Sequence, residues 1–83
     1  MMKSYKELVQ QFRERIIGIL AEQGVTQNEL ARRLVITQVA VHNYTSGKSL
    51  PKHKMLLQIS EKLGCTPEWL LFGVGEKYDS KGK

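Results

Sequence analysis

The chain has 83 residues, with 13 Lys and Arg against 8 Asp and Glu and a formal charge of +5. That length makes one domain with a small core, in which a long enzyme cleft is hard to build. The single cysteine, Cys65, excludes an internal disulfide, and no apolar run nears the ~20 residues of a membrane span.

The first helix is predicted to open at Ser4, with Glu7 three residues on as a capping box. Leu8, Phe12, Ile16, Ile19 and Leu20 then recur at spacings of three and four, an apolar stripe that Gly24 closes. The second helix is expected to start from Thr26, with Glu29 completing another capping box and Leu30, Ala31 and Leu34 facing inward. Thr37 caps the third helix, which ends near Gly47. After a loop over 48–51, Pro51 suits the first position of a fourth helix, because it has no N–H to leave unpaired. Met55, Leu56, Ile59 and Leu63 mark that helix and Gly64 stops it; Cys65 is expected to pack as a small apolar residue. Thr66, Pro67 and Glu68 open a short fifth helix carrying Trp69, Leu70 and Leu71. The expectation is an all-α, five-helix domain over 1–73, without strands, followed by a flexible polar tail over 74–83. The opening Met-Met-Lys-Ser-Tyr-Lys lacks the apolar stretch of a secretion signal, and with the lone cysteine this points to the cytoplasm.

Charge is unevenly spread. From Leu30 to Ser60 there is no Asp or Glu, while Arg32, Arg33, Lys48, Lys52 and Lys54 lie within that window. A basic zone of this extent suits a polyanion such as nucleic acid; the competing reading is a solubilising face.

Thr26 to Tyr44 reads as two short capped helices separated by a three-residue break. At 3.6 residues per turn, Gln38 and His42 share one outer line of the third helix, and Val39 and Asn43 the next. Val41 and Tyr44 point to the core. A major groove accepts one α-helix, and side chains near its N-terminus reach base edges. The Gln38 and Asn43 amides match adenine N6 and N7, and Val39 suits a thymine methyl. His42 fits guanine N7 or a phosphate. An exposed Gln or Asn is usually only solvated, so Val39 is the more informative residue, with a core valine as its competing reading. Gln27 lies where free N–H groups and the helix dipole favour a phosphate. Thr37, Ser46, Lys48, Lys52 and Lys54 are further phosphate-binding candidates.

No His, Cys, Asp or Glu cluster has metal-ligand spacing, no Gly-rich phosphate loop is present, and the serines have no His–Asp partners. No enzyme, metal, cofactor or small-molecule ligand is therefore expected, and no membrane partner. The alternative to DNA binding is a protein-interaction module of the same fold, antitoxin-like or bridging.

Thr26-Gln27-x-Glu29-Leu30-Ala31, Thr37-Gln38-x-x-Val41, Gly47, Pro51 and the closing Cys65-Thr66-Pro67-Glu68-Trp69-Leu70-Leu71-x-Gly73 together resemble the phage repressor and Cro (XRE-type) helix-turn-helix family. The resemblance runs from about Phe12 to Gly73. It implies a five-helix fold and a dimeric, sequence-specific transcriptional regulator, a phage or prophage repressor or Cro-like protein on a two-fold double-stranded operator. It also implies a nucleoid-associated location in a bacterial host cell. Gln27 is implied as a phosphate-clamping glutamine and Gln38 as the first base reader, with positions 39, 42 and 43 also facing bases. Two departures stand out. Val35 occupies a turn position where the family has Gly, and a β-branched residue resists positive φ. Leu20 and Thr45 stand where some members pair a buried Arg with a Glu. The larger repressors of the family continue into a self-cleaving dimerisation domain. The length here is that expected of a small Cro-like regulator, with the reading head of a longer protein as the alternative. Phe72 and Trp69 are the candidate dimer contacts, Phe72 the better of the two, because Trp69 better suits the closure of the core.

Overall fold

The computed structural model describes residues 4–78. It contains α1 (Tyr5–Gln23), α2 (Gln27–Leu34), α3 (Gln38–Thr45), α4 (His53–Leu63) and α5 (Pro67–Phe72). α1 packs on α3 and α5, α2 on α3 and α4, and α4 on α5. Phe12, Ile16, Ile19, Leu30, Val41, Ile59 and Leu70 are fully enclosed between them. Within α1 the buried stripe begins at Val9, and Leu8 is only half-buried, so the inner face lies one residue further round than expected.

The helix starts follow from short hydroxyl side chains. Ser4, Thr26, Thr37 and Thr66 each accept a hydrogen bond from the backbone N–H three residues on, satisfying a donor that the helix itself cannot. The capping box at Ser4 is complete, with Glu7 returning a bond to the Ser4 N–H. At Thr26 only half of the expected box forms. The Glu29 carboxylate instead accepts from Arg33 at 2.8 Å, one turn along the helix. Pro51 is not the first residue of α4: Lys52 is the N-cap and His53 the first helical residue. A missing N–H does no harm in the loop either, so proline alone does not fix the start.

Three helices end the same way. At Gly24, Gly64 and Val35 the chain turns left-handed, and two N–H groups reach back to the last turn. In α2 these are Val35 N to Arg32 O at 3.2 Å and Ile36 N to Ala31 O at 3.0 Å, a Schellman motif. The next residue in each case (Val25, Cys65 or Ile36) tucks against the core. Val35 sits at φ 57°, ψ 49°, the one non-glycine with positive φ among the described residues. The turn thus keeps the glycine path and carries a valine in it. Nothing in the structure explains the choice of valine, whose side chain is 88% exposed.

Leu20 and Thr45 are both buried, and the Thr45 hydroxyl donates to the His42 carbonyl at 3.3 Å. Packing plus one local hydrogen bond occupies these two positions, with no uncompensated charge. Arg15 ties α1 to the end of α5: its Nε donates to the Leu70 carbonyl at 2.9 Å and a terminal nitrogen donates to the Leu71 carbonyl at 2.6 Å.

The stretch after α5 folds back instead of leaving the domain at once. Thr66 N donates to the Lys77 carbonyl at 3.0 Å, Thr66 Oγ1 to the Glu76 carbonyl at 2.6 Å, and Cys65 and Tyr78 form an isolated antiparallel bridge. The Lys77 ammonium and the Tyr78 hydroxyl each lie 2.7 Å from the Glu22 carboxylate. Lys77 also sits 5.0 Å above the Trp69 ring centroid. The tail expected from 74 onward is therefore held at least as far as Tyr78, and 79–83 lie outside the described residues. Burial pushes the Cys65 thiol up to about 11, so at neutral pH it is protonated and packs as an apolar group.

Candidate nucleic-acid interface

α3 is held by its inner face. Val41 is fully enclosed, Thr45 is buried, and the half-buried Tyr44 ring meets Phe12 edge-on at 6.5 Å and 88°. That anchoring turns the opposite face outward. Gln38, Val39 and His42 are exposed, and Asn43 is half-buried. Val39 is 69% exposed, which removes the core reading of that valine. The four residues expected to read bases therefore lie on the outer side of one short helix, Asn43 at the edge of that face.

The end of α3 is built to support a loop. Ser46 is its C-cap, and Lys48 and Ser49 both donate backbone N–H groups to the Asn43 carbonyl, at 2.9 and 3.3 Å. The chain therefore folds back over the last turn, which keeps the exposed Ser46 and Lys48 beside Asn43. Gln27 is exposed as the first residue of α2. Thr37 is exposed too; its hydroxyl oxygen accepts from Ala40 N at 3.1 Å, and its O–H donor is not used by that bond.

Lys52 and Lys54 flank the start of α4, and here the structure adds something the sequence did not suggest. Among the five helices described, α4 alone has an N-cap without a side-chain hydrogen bond, and no acid lies in its first turn. Its first-turn N–H groups emerge between two exposed lysines. Backbone donors, the positive end of the helix dipole and two ammonium groups together suit an oxyanion. The absence of Ser, Thr, Asp or Asn at position 52 is the available signal, and Pro51 masks it by suiting a helix start itself.

Of the two candidate dimer contacts, Trp69 is half-buried against the core and beneath Lys77, whereas Phe72 is 49% exposed with Val74 exposed nearby in sequence. Among the described residues no group of three His, Cys, Asp or Glu side chains comes together in a metal-binding arrangement. Among the described residues no helix is long and apolar enough to cross a membrane.

Two short helices joined through Val35, Ile36 and Thr37, the second anchored by Val41 and presenting its N-terminal half to solvent, define a helix-turn-helix domain. The chain belongs to the helix-turn-helix family, whose model matches residues 18–70. It is similar to the HTH-type transcriptional regulator DicA of Escherichia coli K12, 42% identical over 52 residues that cover 63% of this chain and 38% of DicA. The HTH-type transcriptional regulator for conjugative element SXT of Vibrio cholerae is 43% identical over 63 residues, 76% of this chain and 29% of that protein. Repressor protein CI of Enterobacteria phage phi80 is 39% identical over 62 residues, 75% of this chain and 26% of the repressor. The chain thus spans between about a quarter and two fifths of the length of these relatives. No solved structure gives a significant match.

Proposed function

We propose that this chain is a sequence-specific double-stranded DNA-binding regulator of transcription that acts by occupying promoter DNA, without chemistry, in the bacterial cytoplasm. The observation that carries the reading is the outward Val39. A β-branched apolar residue gains nothing from solvent on a short helix, but it gains a thymine methyl in a major groove. Gln38, His42 and Asn43 supply the directional hydrogen bonds beside it. Gln27, Thr37, Ser46 and Lys48 hold phosphates on either side of α3. The uncapped start of α4, with Lys52 and Lys54, takes a further phosphate. Repression is supported by the named relatives, one a phage repressor and two transcriptional regulators.

Binding is to a two-fold operator as a homodimer, which would set two copies of α3 roughly 34 Å apart in successive major grooves. Phe72 and Val74, two exposed apolar residues at and just beyond the end of α5, suit that contact in preference to Trp69.

Two substitutions separate reading from anchoring. Gln38→Ala is expected to relax sequence choice, because a good bidentate base contact is worth roughly 1–3 kcal/mol of discrimination. Lys48→Ala is expected to weaken all duplexes about equally and to lower the salt slope by about 0.9 for each phosphate it no longer neutralises. Titrations on matched and scrambled duplexes measure both. Full discrimination by the Gln38 variant would displace the reading face from α3.

A further inference from the structure

The corner that leaves α3 is closed by α1. A Cβ placed on Gly47 would stand 3.2 Å from Arg13 Cδ, 4.0 Å from Arg13 Nε and 3.8 Å from the Gln10 side-chain oxygen. The aliphatic stem of Arg13 therefore lies across a glycine that is itself left-handed, at φ 82°. The left-handed backbone favours glycine there, and a Cβ would also oblige the Arg13 stem to give way by a few tenths of an ångström.

The other arginines close to structural partners are already engaged. Arg15 is bound to the α5 carbonyls and Arg33 to Glu29. Arg13 has its stem held but no hydrogen bond or ion pair to its guanidinium among the described residues, and it is only half-buried. Its charge thus stands at the Ser46–Lys48 corner, immediately beyond the last turn of α3. A guanidinium whose stem packs over Gly47 and whose five donors are unspent is available for a planar oxyanion contact.

We propose that Arg13 is a further DNA-phosphate contact, delivered from α1 across Gly47 to the strand that passes the C-terminal end of α3. This rests on the reading of α3 as the element in the groove, and it extends the phosphate-holding set from the helix-turn-helix and the α4 start to the first helix.

The test compares the wild type, Arg13→Met and Arg13→Lys on a duplex selected from random sequence and on a scrambled one, across salt. Arg13→Met keeps the stem over Gly47 and removes the charge. It is expected to bind both duplexes more weakly by a similar factor. Its slope of log K against log salt should be shallower by about 0.9 per bound chain, so that its deficit shrinks about threefold between 50 and 200 mM salt. Arg13→Lys should recover most of the slope. An Arg13→Met protein that melts like the wild type and keeps both its affinity and its slope overturns the proposal. So does one that loses affinity with an unchanged slope, because packing alone then accounts for Arg13. If the wild type itself does not distinguish the two duplexes, the reading of α3 fails, an outcome separable from failure at Arg13 alone.

Discussion

Replacing Val35 by glycine should make the protein more stable although it removes side-chain atoms. Val35 holds φ 57°, ψ 49° in the same Schellman geometry that Gly24 and Gly64 adopt at the ends of α1 and α4. For an L-residue that conformation costs roughly 1–2 kcal/mol, and β-branching puts valine at the upper end. The side chain is 88% exposed, so its removal forfeits almost no apolar burial. Glycine adds unfolded-state freedom that offsets about 0.5–1 kcal/mol of the gain. The net is about 1 kcal/mol in favour of Val35→Gly, which for a domain of this size raises Tm by roughly 4–8 °C. Calorimetric or circular-dichroism melts measure it. Val35→Ala is the control: it keeps a Cβ in the left-handed region and should gain less than glycine. A Tm for Val35→Gly equal to or below that of the wild type would refute the strain argument. Since the turn already follows the glycine path, DNA affinity should change little.

Other outcomes follow from the contacts around α5. Arg15→Met removes two charge-assisted hydrogen bonds to the Leu70 and Leu71 carbonyls and should cost about 2 kcal/mol in denaturant unfolding, with α5 amides losing exchange protection first. The fold-back of 74–78 should loosen in acid. Hydrogen bonds from Lys77 and Tyr78 hold the Glu22 carboxyl below its ordinary value, so its contribution is present above the unfolded value and is lost as pH falls through the folded one. Lys77 is raised, chiefly by its hydrogen bond to Glu22, and its contribution is lost at the alkaline end as pH rises through its folded value. NMR shifts of the Tyr78 ring against pH report both limits, and a ring insensitive to Glu22→Gln would contradict the latch. Because Cys65 is buried and protonated, thiol reagents should label it slowly at neutral pH and faster once the chain is cut before Lys77. Equal rates would show that the fold-back does not protect it.

Much of this arrangement is legible in the sequence because its signals are local. Ser4, Thr26, Thr37 and Thr66 announce helix starts through a hydroxyl and an N–H three residues away, and each cap is present. The outward and inward faces of α3 follow from 3.6-residue periodicity, which puts Val41 in the core and Val39 in solvent. What escapes such a reading depends on partners distant along the chain or on competition. Glu29 has two local partners and takes Arg33 over the cap. Lys77 and Tyr78 look like part of a polar tail until Glu22, more than fifty residues earlier, is brought beside them. No local signal marks Arg15, whose partners lie more than fifty residues away and meet it only on folding, at the end of α5. At Val35 the resemblance implies a glycine, but not whether the turn yields or the residue strains; the Schellman bonds to Arg32 and Ala31 hold the path, and the residue strains. The α4 start is ambiguous because Pro51 is compatible with both the loop and the first turn, so the uncapped N-terminus between Lys52 and Lys54 emerges only in the fold.

The claim on which the rest depends is that α3 reads a defined sequence in duplex DNA. Selection of bound sites from a random duplex pool, at salt high enough to suppress non-specific binding, tests it most directly. The account predicts an enriched motif with two inverted half-sites about one helical turn apart, altered within each half-site when Gln38 is changed to Ala. A pool that stays random after repeated selection, or a motif indifferent to Gln38, Val39, His42 and Asn43 together, would contradict it.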